Sequence, residues 1–311
     1  MPLDFLKNVQ QQAVQLLEHT HTPPQRYGTA FHLSPPVTDV RELPVPLAQR
    51  VVETVAPKMQ QDILRLTQHD PYALWYLAHA HQQVIRIPAQ QRSKIFLAEA
   101  GVIWIMVEEN AELEIQDELL EQDTLIRRVY IWQEANSRVA YTALRAKNKF
   151  LTEECHVFLQ GAHAQLTMTH LAYGNAGEQS DIEVAAYHQA PSTTSTISFR
   201  AAAEEKNVTM YRGLIKVENQ ALGSKGYQQG RGLILGKRAV VDMLPELEIK
   251  TNDVQCSHGV TTTHLDDSSL FYSRSRGIEK KDARRLAMNG FYHHQLDIPE
   301  DMFKKLQTFY A

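Results

Sequence analysis

Residues 246–278 read ELEIKTNDVQCSHGVTTTHLDDSSLFYSRSRGI. The stretch opens on Glu246-Leu247-Glu248-Ile249, polar and apolar by turns, which is the pattern of a strand with one buried face. Cys256, Ser257 and His258 follow. Residues i and i+2 of a strand point to the same side, so the thiol of Cys256 and the imidazole of His258 can reach one point in space. Gly259 comes next, then Leu270-Phe271-Tyr272 as an apolar anchor. Ser275-Arg276-Gly277 breaks the strand pattern and leads into a helix.

Working back from this stretch, the period of two continues to Val84. Val102, Trp104 and Met106 show it, as do Val139, Tyr141 and Ala143, and Ile182, Val184 and Ala186. No helical stripe interrupts these short runs, so a doubly wound α/β sheet is excluded. A sandwich, a barrel such as a cupin and a parallel β-helix remain. Asn219-Gln220-Ala221, Lys237-Arg238-Ala239 and Asn252-Asp253-Val254 recur in similar settings, at 219, 237 and 252, as if one coil of a solenoid were taken per step.

Helical patterns flank this β body. Leu3, Leu6, Val9, Ala13, Leu16 and Leu17 share one face, and a second stretch runs from Leu47 to Thr67 after a Pro-rich connector. Beyond the strands, Ala283, Leu286, Ala287 and Phe291 stand at helical spacing, and Pro299 opens a last helix with Met302, Phe303, Leu306 and Phe309. The organisation expected is a helical region over 1–82, a β core over 83–273 and a helical region over 274–311. Unpaired sheet ends invite polymerisation, so the helical segments are expected to cap the body.

Composition narrows the function classes. With 43% hydrophobic and 22% charged residues, the 311-residue chain is an ordinary globular one. A net charge of −4 does not point to nucleic acid. The most apolar run, Gly101 to Val107, is far short of the roughly 20 residues of a membrane span. The N-terminus has no signal-peptide core, and the only cysteines are Cys155 and Cys256, which suits a reducing compartment. A cytoplasmic location is expected.

Cys256 and His258 are the candidate metal ligands, because thiolate and neutral imidazole both bind iron or zinc. A closed site takes about four ligands, so two donors imply a site finished by another subunit. The plainer reading is a small buried cysteine and a core histidine. His156, His163 and His170 fall every seven residues, which alternates faces along a strand and aligns no cluster. Gly230 to Arg238 fails as a phosphate loop in spacing, and Arg238 stands where the loop needs Ser or Thr. Glu108-Glu109, Glu153-Glu154, Glu204-Glu205 and Asp266-Asp267 are sequence neighbours; within a strand such neighbours face opposite ways and make no acid/base pair.

Pro245 to Ile249, Asn252 to Gly259, Leu270-Phe271-Tyr272 and Ser275-Arg276-Gly277-Ile278 together resemble the SufB/SufD family of iron–sulfur cluster assembly proteins. Cys-Ser-His-Gly looks like the SufD branch, and weaker similarity reaches back to about residue 80. The resemblance implies a parallel β-helix and a non-catalytic scaffold subunit. Its implied partners are a SufB-like chain and a SufC-like ATPase, or a second copy in isolation. The implied cargo is a transient iron–sulfur cluster or iron at a shared interface near Cys256 and His258, with none held tightly by the isolated chain. It also implies that the ATPase grips about 271–296, with Phe271, Arg276, Gly277 and Phe291 as anchors. Asn252, Thr263 and Ser268-Ser269 depart from the family pattern, and the chain is short at its N-terminal end. The alternatives are a metal-dependent β-fold enzyme with His and Cys ligands, and an architectural paralogue whose thiol is idle.

Overall fold

The computed structural model describes Leu77, Ala80 and residues 82–310. The helices expected over 3–18 and 47–67, and with them the N-terminal cap, lie outside the described residues. The body is a parallel β-solenoid of fourteen strands: β1 (Gln82–Ile87), β2 (Arg92–Leu97), β3 (Gly101–Val107), β4 (Glu112–Leu120), β5 (Thr124–Gln133), β6 (Arg138–Ala146), β7 (Phe150–Leu159), β8 (Gln165–Gly174), β9 (Gln179–His188), β10 (Thr194–Ala203), β11 (Val208–Val217), β12 (Ser224–Ile234), β13 (Val240–Ile249) and β14 (Val254–His264). Odd and even strands form two seven-stranded sheets, each stacked in chain order.

Alternation builds the core. In the odd sheet Ile85, Ile105, Ile131, Val157, Ala186, Ile215 and Leu247 are in register, one from each strand. In the even sheet Ile95, Ile115, Tyr141, Met168 and Ile197 form the facing ladder. Stacked apolar ladders facing each other remove the inner faces of both sheets from water, the main favourable term in such a body. Each coil crosses both sheets: Gln179 aligns with Val208 and Val208 with Val240, so a coil takes about 30 residues. The steps 219, 237 and 252 are therefore successive corners on opposite sides, half a coil each. The chain turns most corners through one left-handed residue, such as Asn110 (φ 57°), Asn136 (φ 56°) or His163 (φ 63°). His163 is thereby explained as a corner residue.

The helices are α1 (Asp267–Ser275), α2 (Lys280–His293) and α3 (Glu300–Tyr310). The Asp266 side chain accepts from the Ser269 amide at 2.8 Å and caps α1, so the helical region starts before residue 274 and holds Leu270, Phe271 and Tyr272. α2 and α3 do not cap the end of the solenoid. They lie along the outer face of the even sheet, where Leu144, Leu171, Tyr173, Ala202 and Leu233 pack against Met288, Tyr292, Ile298, Met302, Leu306 and Tyr310. The outward positions near the ends of β6, β8, β10 and β12 are apolar, and this stripe draws the helices onto the sheet's face. The inner side of α2 is Ala283, Met288 and Tyr292, whereas Leu286 is exposed.

Candidate functional site

The site is built on the last coil. β14 pairs only with β12, and β13 only with β11, so among the described residues both final strands present an unpaired edge. The apolar ladders change character as they reach it. Ile197 is followed in register by Gln228 and then His258. Leu166 is followed by Ser195, Gly226 and Cys256. Cys256 and His258 are thus the terminal members of two neighbouring inward ladders. His258 is exposed, and Cys256 is half-buried against the core.

Gly226 makes room for the thiol. A Cβ there would stand 2.8 Å from Cγ2 of Ile215 and 3.3 Å from Sγ of Cys256. Burial pushes the Cys256 thiol above its ordinary value, against a smaller opposing pull from the Gly226 backbone. The thiolate is the nucleophilic and metal-binding form of a cysteine, so burial here favours the protonated thiol. Beneath His258, the Gln228 amide donates to the Tyr211 hydroxyl at 3.2 Å, and the Tyr211 ring stacks on Phe199 at 4.1 Å. Among the described residues, no group of three or more His, Cys, Asp or Glu is arranged to hold a metal ion. What this edge offers is two donors of mixed softness on one open face.

Two further polar clusters lie inside the solenoid. Asp117, Arg127, Arg145 and Glu153 are all buried. Arg145 donates to Asp117 at 2.7 Å and to Glu153 at 2.5 Å, while Arg127 donates to Asp117 at 2.7 Å and the Tyr141 hydroxyl donates to Asp117. Two guanidinium groups against two carboxylates leave the cluster neutral. Burial opposes ionisation of Glu153, but Arg145 outweighs it and holds the carboxyl down at about 2. Cys155 is buried nearby and its thiol is pushed well up by burial, so it is inert. His188 sits between the hydroxyls of Thr193 at 2.7 Å and Ser195 at 2.8 Å, and burial lowers it to about 4. Sequence reading missed the ionic cluster; charged residues inside otherwise apolar strand patterns were its only signal.

A second surface is formed by α1 and α2. Phe271, Tyr272 and Leu286 are 69%, 68% and 55% exposed. The Arg276 guanidinium lies 5.4 Å over the Tyr272 ring, and Gly277 turns the chain at φ +84° into open space. Arg274 of α1 and Lys280, Lys281 and Arg285 of α2 are exposed on the same two helices. Arg276 and Gly277 follow the C-terminal end of α1, and Phe271 stands at its middle. Phe291 does not join them; it packs inward beside Tyr292, their rings 5.0 Å apart. Contiguous exposed aromatics rimmed by charge are the make-up of a protein-binding patch. A groove of about 1050 Å³ between the outer face of the even sheet, at Arg92, Arg138 and Thr169, and Asp297 and Glu300 overlies β2 to β8, at the other end of the sheet from Cys256.

The chain is thus a parallel β-solenoid whose last described coil is unpaired and carries Cys256 and His258, with exposed aromatic residues on the appended helices. The family model described as the SufBD core domain of SUF-system FeS cluster assembly matches residues 78–291, and the chain belongs to this family. The chain is 34% identical over 133 residues to the iron–sulfur cluster assembly protein SufD of Escherichia coli, covering 43% of this chain and 31% of that one. It is 25% identical over 156 residues to a SufBD family protein of Synechocystis, covering 50% and 32%. It is 24% identical over 165 residues to one of Staphylococcus saprophyticus, covering 53% and 35%. The match thus spans about a third of the length of these relatives. No helix among the described residues is long and apolar enough to cross a membrane.

Proposed function

We propose that the chain is a SufD-like subunit of an iron–sulfur cluster assembly complex, a scaffold that performs no covalent chemistry of its own. A SufB-like chain pairs with the open coil and supplies the remaining ligands beside Cys256 and His258. A SufC-like ATPase binds the α1–α2 patch, and its nucleotide-driven closure shifts the paired β bodies between two arrangements. Iron or a nascent cluster is cargo at the shared edge. The observation that carries this reading is the placement of Cys256 and His258 at the ends of two interior ladders, on a coil with no described strand beyond it.

The pairing edge suits the task. A partner strand added there satisfies backbone groups along β14 and buries its half-exposed inward side. Metal binding would displace the thiol proton, so affinity rises with pH and depends on the partner's ligands. The test is purification of the three proteins together. The wild-type complex should carry iron–sulfur absorbance, and Cys256→Ala or His258→Ala should lower cluster content roughly tenfold, about 1.4 kcal/mol of lost stabilisation. Undiminished cluster content in both variants contradicts the reading and favours an idle thiol.

A further inference from the structure

We propose that Arg200 is the positioning residue that ties the docking helices to the sheet edge bearing Cys256 and His258; this rests on the ATPase-docking reading above. Arg200 stands on the outer face of β10 and is 2% exposed. Its two terminal nitrogens donate to the main-chain carbonyls of Phe291 and His294, at the last turn and C-cap of α2. The guanidinium also lies 5.9 Å over the Phe291 ring. Those carbonyls have no partner within the helix and form its negative end, so a fixed cation there completes α2. No carboxylate among the described residues forms a salt bridge with Arg200. Burial, with a smaller push from Arg231, lowers its pKa to about 10, yet it stays charged at neutral pH.

The apolar contacts of Met288 and Tyr292 already hold α2 against the sheet. Such contacts are non-directional and tolerate sliding. A planar guanidinium spanning two carbonyls fixes the helix in rotation and height. On the strand side Arg200 is in register with Arg231 of β12, and Arg231 with Thr261 of β14. Thr261 lies three residues beyond His258 on the same strand. A displacement of α1 and α2 therefore enters the even sheet at Arg200, and rigid parallel strands carry it two steps to β14. The first half of α2 has a separate tie, Arg284 to Glu204, which in turn accepts from Tyr173 at 2.7 Å. Arg200 is the tie whose sheet column passes through Arg231 to the final strand.

The experiment uses the full chain in complex with the SufB-like partner and the ATPase, reading peptide-resolved alkylation of Cys256 with and without ATP. The rate in the wild type and in Arg231→Gln, which removes a charge from the same column but touches no helix carbonyl, should change with ATP. Arg200→Gln should bind the ATPase within about twofold of wild type and lose that ATP-dependent change, with Arg200→Lys keeping part of it. An Arg200→Gln complex that responds to ATP like wild type overturns the proposal. So does loss of ATPase binding in that variant, which would make Arg200 part of the docking surface, and so does a wild-type complex with no ATP response at Cys256. In the isolated chain, amide exchange over 291–296 should be several-fold faster in Arg200→Gln; unchanged exchange removes the clamp itself. A wild-type chain that does not bind the ATPase at all fails the docking reading, and that failure is distinguishable from the other outcomes.

Discussion

At the residue scale, Glu153 and Glu154 show how alternation divides neighbouring residues between two environments. Glu153 faces inward to Arg145, while Glu154 faces outward to Arg128 at 3.0 Å. Their separation is legible in the sequence, because adjacent strand residues must diverge. The partners were not legible, since Asp117 and Arg145 stand in the even sheet and Arg127 and Glu153 in the odd one, and the four meet only where the two sheets face each other. Glu153→Ala leaves Arg145 with one carboxylate fewer inside the body, and urea unfolding should show a loss of about 3–5 kcal/mol. The buried histidines give a pH test. Burial lowers both His170 and His188 to about 4. Above the ordinary value of 6.5 both folded and unfolded chains hold neutral imidazole. Between 6.5 and about 4 only the unfolded chain takes up the proton, so stability falls as pH drops through that window. His188→Gln should flatten the slope of stability against pH there; an unchanged slope means that His188 is not excluded from protonation.

At the element scale, the β body and the last two helices were readable from their periods; α1, which fell within the expected β core, was not, nor was the placement of the helices. Cys256 and His258 could be assigned to one face because a two-residue spacing on a strand permits nothing else. That this face is the inner one, at the end of the ladders, needed the register of β12 and β14. α2 was visible as a helix, yet Leu286 was assigned to its apolar face and proves exposed, since the even sheet's stripe selects Met288 and Tyr292 instead. Phe291, expected as a docking anchor, is half-buried with the Arg200 guanidinium over its ring, a contact that the sequence did not signal. Gly226→Ala should cost about 1–3 kcal/mol by overpacking against Ile215. It should also displace the thiol of Cys256, changing its alkylation rate; an unaltered rate and stability would show that the last coils accommodate a side chain freely. Leu306→Ala should cost about 2–5 kcal/mol and release α3 to limited proteolysis ahead of the β body.

At the scale of the whole molecule, one end of the solenoid has no cover among the described residues, because the C-terminal helices are drawn to the sheet's face. The sequence implied that an unpaired end needs cover, and it pointed to the helices as the cover. The apolar stripe at the ends of β6, β8, β10 and β12 overrides that, and among the described residues β13 and β14 keep an unpaired edge. The coil length was also hidden, because each corner recurs at half the true repeat and only strand pairing tells the two sides apart. An exposed edge ending in a thiol and an imidazole is the physical core of the scaffold reading. Amide hydrogen exchange over residues 254–264, measured with and without a SufB-like partner, tests it most directly. Pairing at the open coil predicts slowed exchange along β14, with β2 at the opposite end unaffected. Exchange along β14 that is unchanged while the partner is bound would contradict the account.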